Sequence, residues 1–103
     1  MEDVLKLRPL EPQEDIPYVL EALRLVRQEL PSDKVLIGFA GAPFTVASYL
    51  VEGAPSRTYG RTKALMSGRP DLWFDLMDRL TDLAIASLRS QIDAGASAIQ
   101  LFD

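Results

Sequence analysis

The chain has 103 residues, 48% hydrophobic and 25% charged, with a net charge of −4 and neither cysteine nor histidine. That composition describes one domain or part of one, too apolar for disorder, and no apolar run approaches the roughly 20 residues of a membrane span. Without Cys or His, disulfides, thiolate metal sites and Ser-His-Asp or HExxH chemistry are excluded within this segment, and the acidic balance argues against nucleic acid.

Residues 1–14 carry Pro9 and Pro12 and read as an irregular lead-in. The acidic start lacks the basic region of a secretory signal, so a cytoplasmic location is expected. Asp15-Ile16-Pro17 reads as a helix start, with Asp15 as cap and proline in the first turn. Ile16, Val19, Leu20, Leu23, Val26 and Leu30 then recur at three- and four-residue spacing, an amphipathic helix ending before Pro31.

Residues 34–39, Lys-Val-Leu-Ile-Gly-Phe, are short, β-branched and continuously apolar after the lysine, which suits a strand buried on both faces of a parallel sheet. Gly38 and Gly41 bracket a tight exit, and Pro43 can open a helix that runs to about Val51 and stops at Gly53. Residues 57–67 read as a weaker, basic helix. Asp71 then suits the positive end of the strongest helix in the chain, whose apolar stripe is Trp73, Leu76, Met77, Leu80, Leu83, Ala84, Leu88 and Ile92. Gly95 is its natural C-terminal cap, and residues 97–102 form a second, less apolar strand.

Helix, strand, helices, strand implies a parallel pairing with a right-handed crossover. Residues 40–96 far exceed the dozen or so that a minimal crossover needs, so the connection is elaborated. Two strands cannot close a barrel or cover their own edges. The chain therefore reads as an α/β segment cut from a larger sheet.

Chemistry concentrates where the first strand ends. The glycines of Gly38-Phe39-Ala40-Gly41-Ala42-Pro43 let backbone approach a ligand ahead of a helix N-terminus, or they make a tight turn with no ligand at all. The Tyr49 phenol can donate to a carboxylate or stay buried with its hydroxyl satisfied. Arg57, Arg61, Lys63 and Arg69 lie in an acid-free stretch that could attract a polyanion, although such clusters are commonly solvated helix faces. Trp73 and Met77 are core positions. Asp103 closes the second strand at the end where barrel enzymes carry their chemistry, or caps a helix beyond it. Glu52 reads as a helix-end surface acid.

Two stretches go beyond generic pattern. Leu36-Ile37-Gly38-Phe39-Ala40-Gly41-Ala42-Pro43-Phe44-Thr45, continuing through Ser48-Tyr49-Leu50-Val51-Glu52-Gly53, resembles the central signature of the uroporphyrinogen decarboxylase family. Residues 91–103 resemble that family's next strand and its approach. Phe44 stands where many relatives have tryptophan, and Ala54 where glycine is common. The resemblance implies an internal fragment of a (β/α)8 TIM barrel with parallel strands and crossover helices, a cytoplasmic homodimer when intact. It implies a carboxy-lyase that takes CO2 from the four acetate arms of uroporphyrinogen III, giving coproporphyrinogen III, with no cofactor and no metal. It places Tyr49 as the catalytic phenol that hydrogen-bonds the substrate, and Phe39, Phe102, Gly38 and Gly41 along the cleft wall, with Pro43 shaping it. The family's arginine-rich motif, pyrrole-pairing aspartate, C-terminal histidine and the hydroxyl residue after Asp103 lie outside 1–103, so the fragment alone is expected to be inactive. The alternatives are a corrinoid-dependent methyltransferase of the same superfamily and a stand-alone, non-catalytic interaction module.

Overall fold

Among the described residues, four of the five helices begin at proline. Proline lacks the N–H that a first turn cannot use and is preset to helical φ. The computed structural model describes Val4 and residues 6–103. In chain order the elements are α1 (Pro12–Asp15), α2 (Pro17–Glu29), β1 (Ile37–Gly41), α3 (Pro43–Glu52), α4 (Gly60–Gly68), α5 (Pro70–Asp93) and β2 (Ala98–Phe102).

The two strands pair in parallel, Ile37 opposite Ala98 and Gly41 opposite Phe102. The first strand thus lies further along the chain than the apolar run suggests. Residues 31–34 turn instead, with the Lys34 N–H donating to the Pro31 carbonyl. Burial on both faces is also corrected. Ile37 and Phe39 are exposed while Gly38 is buried, and every residue of β2 is exposed. α5 packs along β1, and the other face stands open.

The core lies on the helical side, where Ala47, Trp73, Leu76 and Leu80 are buried against Val4, Leu7, Phe44, Val46, Val51, Leu65, Met77 and Leu83. Each fully buried leucine contributes about 2 kcal/mol of transfer free energy. Phe44 sits between two aromatic neighbours, 5.6 Å from Tyr59 and 6.0 Å from Trp73, both edge-to-face. Elsewhere only Leu20 of α2 is buried on that helix. The radius of gyration is 16.0 Å, against about 13 Å for a compact domain of this length. The described residues form an open layer of helices on a two-stranded parallel sheet.

Two end signals differ from expectation. Asp15 does not cap α2, whose N-cap is Ile16. Pro12 opens an extra turn upstream, and Asp15 closes it by accepting from the Glu11 N–H at 2.9 Å and pairing with Arg8 at 2.6 Å. The Arg8 hydrogen bond, helped by that backbone donor, lowers the Asp15 carboxyl to about 2. In α5 the buried face drifts off the apolar stripe. Ser90 and Gln91 are buried, whereas Ile92 is exposed, because the last turns meet strand backbone instead of side chains. The glycine stops stand where expected. Gly53 caps α3 at φ 79°, and Gly95, just beyond α5, has φ 127°.

Candidate active site

β1 passes into α3 through Ala42 alone. The turn is that tight because of Gly41, where a Cβ would lie 2.9 Å from Val46 Cγ2. Two bonds then tie the start of α3 to the end of β2. The Ala42 N–H donates to the Phe102 carbonyl at 2.6 Å, and the Thr45 hydroxyl donates to Asp103 Oδ1 at 3.0 Å. The Asp103 carboxylate is therefore held at the positive end of the α3 dipole. The carboxyl ends of both strands and the amino end of α3 converge on one place.

Alternation along the strands puts Ile37, Phe39 and Gly41 on one face with Ala98, Gln100 and Phe102. On that face the Phe39 and Phe102 rings meet edge-to-face, centroids 5.8 Å apart and planes at 76°. Such a pair adds about 0.5–1.5 kcal/mol beyond its buried area. Both rings are more than half exposed, Phe39 at 64% and Phe102 at 54%. Together they form an apolar wall that stands open among the described residues.

Gly38 lies behind that wall. A Cβ there would sit 2.5 Å from Gln91 Oε1 and 3.3 Å from the Ala96 Cβ, so the absent side chain is what admits Gln91 to the strand. The buried Gln91 amide accepts from the Phe39 N–H at 2.9 Å and donates to the Phe39 carbonyl at 2.9 Å. It also donates to Ser87 Oγ at 3.2 Å. An apolar groove of about 330 Å³ runs beside this clamp, between Ile37 and Phe39 on the strand and Tyr18, Leu23 and Val26 on α2.

Tyr49 stands one helical turn after Thr45 and is half exposed. Among the described residues no ring contact joins Tyr49 to Phe39 or Phe102. The structure brings the two phenylalanines together, backs them with Gly38, and sets Tyr49 on the helix that leaves the same end.

Glu52 is more than a surface acid. Its carboxylate accepts from the N–H groups of Arg61 and Thr62, at 3.2 and 3.0 Å, and from the Thr62 hydroxyl at 3.1 Å. It caps α4 from a different helix. The local N-cap, Tyr59 at φ 54°, offers no side-chain bond. Desolvation works to raise the Glu52 carboxyl, but these donors and the Arg61 charge outweigh it and leave it below its ordinary value. Arg69, at the far end of the basic stretch, pairs with Asp71 at 3.0 Å; that hydrogen bond, with the Leu72 N–H, lowers Asp71 to about 2. Asp71 thus pairs with one of the four cations, Arg69, Glu52 meets Arg61 through its backbone N–H, and all four basic residues are exposed.

Sequence reasoning missed Gln91, Thr45 and the role of Glu52. The signal for Gln91 was a polar residue on the face marked by Leu76, Leu80 and Ala84, in step with Ser87. For Glu52 it was a helix with no Ser, Thr, Asp or Asn at its start. Among the described residues no three acidic, cysteine or histidine groups are placed to hold a metal ion, and no helix is long and apolar enough to cross a membrane.

The family model described as Uroporphyrinogen decarboxylase (URO-D) matches residues 1–103. The uroporphyrinogen decarboxylase of Bacillus cytotoxicus (strain DSM 22905 / CIP 110041 / 391-98 / NVH 391-98) is 55% identical over all 103 residues of the chain. Those of Bacillus thuringiensis (strain Al Hakam) and Bacillus cereus (strain B4264) are 52% identical over the same length. The chain spans 29% of the length of each of these relatives.

Proposed function

The chain belongs to the uroporphyrinogen decarboxylase family, and from that premise we propose that it is an internal segment of a (β/α)8 barrel lyase acting on uroporphyrinogen III. Each turnover replaces an acetate carboxylate by a proton, R–CH2–CO2⁻ + H⁺ → R–CH3 + CO2, four times per substrate. Protonation of a pyrrole carbon makes the ring an electron sink, so the pair left by the breaking C–C bond is held by the substrate itself. What remains for the protein is positioning and electrostatic complementarity.

In this reading Phe39 and Phe102 support the macrocycle, Gly38 and Gly41 give the wall its shape, and the Tyr49 phenol donates to a substrate carboxylate. The observation that carries it is the open Phe39–Phe102 wall at the carboxyl ends of two parallel strands, where barrel enzymes carry their chemistry. The edge of β1 that β2 leaves free, bridged at Phe39 by Gln91, and the apolar groove beside it favour a neighbouring strand and hence a closed barrel. The decarboxylase name of the relatives reported above favours this reaction over corrinoid-dependent methyl transfer. We infer a cytoplasmic homodimer for the full-length enzyme, and its mass in solution checks the dimer.

The test is a chimera in which residues 1–103 replace the matching segment of the full-length Bacillus cytotoxicus enzyme. The chimera should decarboxylate uroporphyrinogen, and the chain alone should not. Tyr49→Phe should lower kcat/KM about tenfold or more, the loss of one hydrogen bond to a charged group, with the melting temperature unchanged. Unaltered kinetics would remove Tyr49 from the site.

A further inference from the structure

Successive residues of a strand send their N–H and C=O groups to opposite edges. Leu36 and Ala42 bond to β2, through Ser97 N–H to Leu36 O and Ala42 N–H to Phe102 O. Phe39 is out of phase with both, so its peptide groups point to the edge that β2 leaves free. There Gln91, 52 residues away in sequence, satisfies both of them. It is buried, held in turn by Ser87, and admitted only because residue 38 has no side chain.

We propose that Gln91 is a positioning residue for the substrate wall: its amide clamps the Phe39 peptide and thereby fixes the ring that meets Phe102. Gln91 touches no substrate. It does for Phe39 what a paired strand would do, and a neighbour on that edge pairs on either side of it. Beyond that clamp the Phe39 ring, 64% exposed, has its edge-to-face contact with Phe102 and borders the groove beside α2. A loosened peptide would let the wall swing, weakening ground-state binding more than the chemical step. This inference rests on the decarboxylase reading.

The experiment compares Gln91→Leu, Phe39→Ala and the double variant in the full-length chimera, with kcat, KM and melting temperature measured for each. Gln91→Leu should raise KM about tenfold, an effect in the range reached by small misplacements, with kcat within about a factor of two. Phe39→Ala should raise KM by itself, and adding Gln91→Leu should raise it no further. Gln91→Leu should also lower the melting temperature, since it leaves the Phe39 peptide unpaired; a purely structural glutamine would multiply its kinetic effect onto Phe39→Ala, which overturns the proposal, and so does an unchanged KM in Gln91→Leu. If Phe39→Ala leaves KM unchanged, the wall itself is wrong and Gln91 falls with it. Should Gln91→Leu fail to fold, Gly38→Ala takes its place. It leaves residue 91 intact but blocks the seat of Oε1, and the same KM rise is expected, with no further rise when it is added to Phe39→Ala.

Discussion

The side chain of Gln91 occupies the space that a Cβ at Gly38 would fill, with Oε1 2.5 Å from that point. One residue is small so that the other can be long. The pair joins α5 to β1 through buried polar atoms whose hydrogen bonds are all made, an arrangement worth far more intact than half-broken.

Gly38→Ala should therefore destabilise the fold by about 1–3 kcal/mol, the range for overpacking a filled site. Chemical denaturation measures it. In a Gln91→Ala background the loss should shrink, because the most severe clash is gone and only the 3.2 and 3.3 Å contacts to Gln91 Cβ and Ala96 Cβ remain.

The two left-handed glycines should respond differently to alanine. At Gly53 nothing lies within 4 Å of an added Cβ, so the cost is conformational alone, about 1–2 kcal/mol. At Gly95 the Cβ would also meet Arg27 Cγ at 3.0 Å and Cβ at 3.1 Å. Gly95→Ala should cost more than Gly53→Ala, and equal losses would show that the Arg27 contact yields freely.

Glu52→Ala should lower the melting temperature by a few degrees, because α4 then keeps no side-chain acceptor at its start. Glu52→Gln, which retains an acceptor oxygen, should recover part of the loss. A thermal melt of the three proteins decides it.

Acid should weaken the fold in a defined window. Asp15 and Asp71 titrate at about 2 in the folded chain, and Glu52 is also lowered. A carboxyl whose folded value lies below its unfolded one stabilises above the unfolded value and loses that contribution as pH falls toward the folded one. Stability should be level above about pH 5 and decline from there toward pH 2. Arg8→Ala, which removes the main cause of the Asp15 shift, should flatten part of that decline.

Leu76→Ala should cost about 2–5 kcal/mol, since it opens a cavity in the cluster it forms with Trp73 and Ala47. Loss of cooperativity in its denaturation curve would mark Leu76 as a residue the core cannot close around.

The local code specified α2, α3 and α5, because proline starts, glycine stops and a 3.6-residue apolar period act within a few residues of each other. It also carried the family, through the signature residues of Leu36 to Thr45 and Ser48 to Gly53, and the parallel pairing, through chirality and length. It did not specify the bounds of β1, which depend on register with β2, or the burial of Gln91 in place of Ile92. Nor could it assign Asp15 to Arg8, Glu52 to the start of α4, or Thr45 to Asp103, 58 residues away. Those choices belong to hydrogen-bonding groups that find partners only after the helices have packed on the strands. An acceptor's partner is set by distance in space, and apolar periodicity has no term for it.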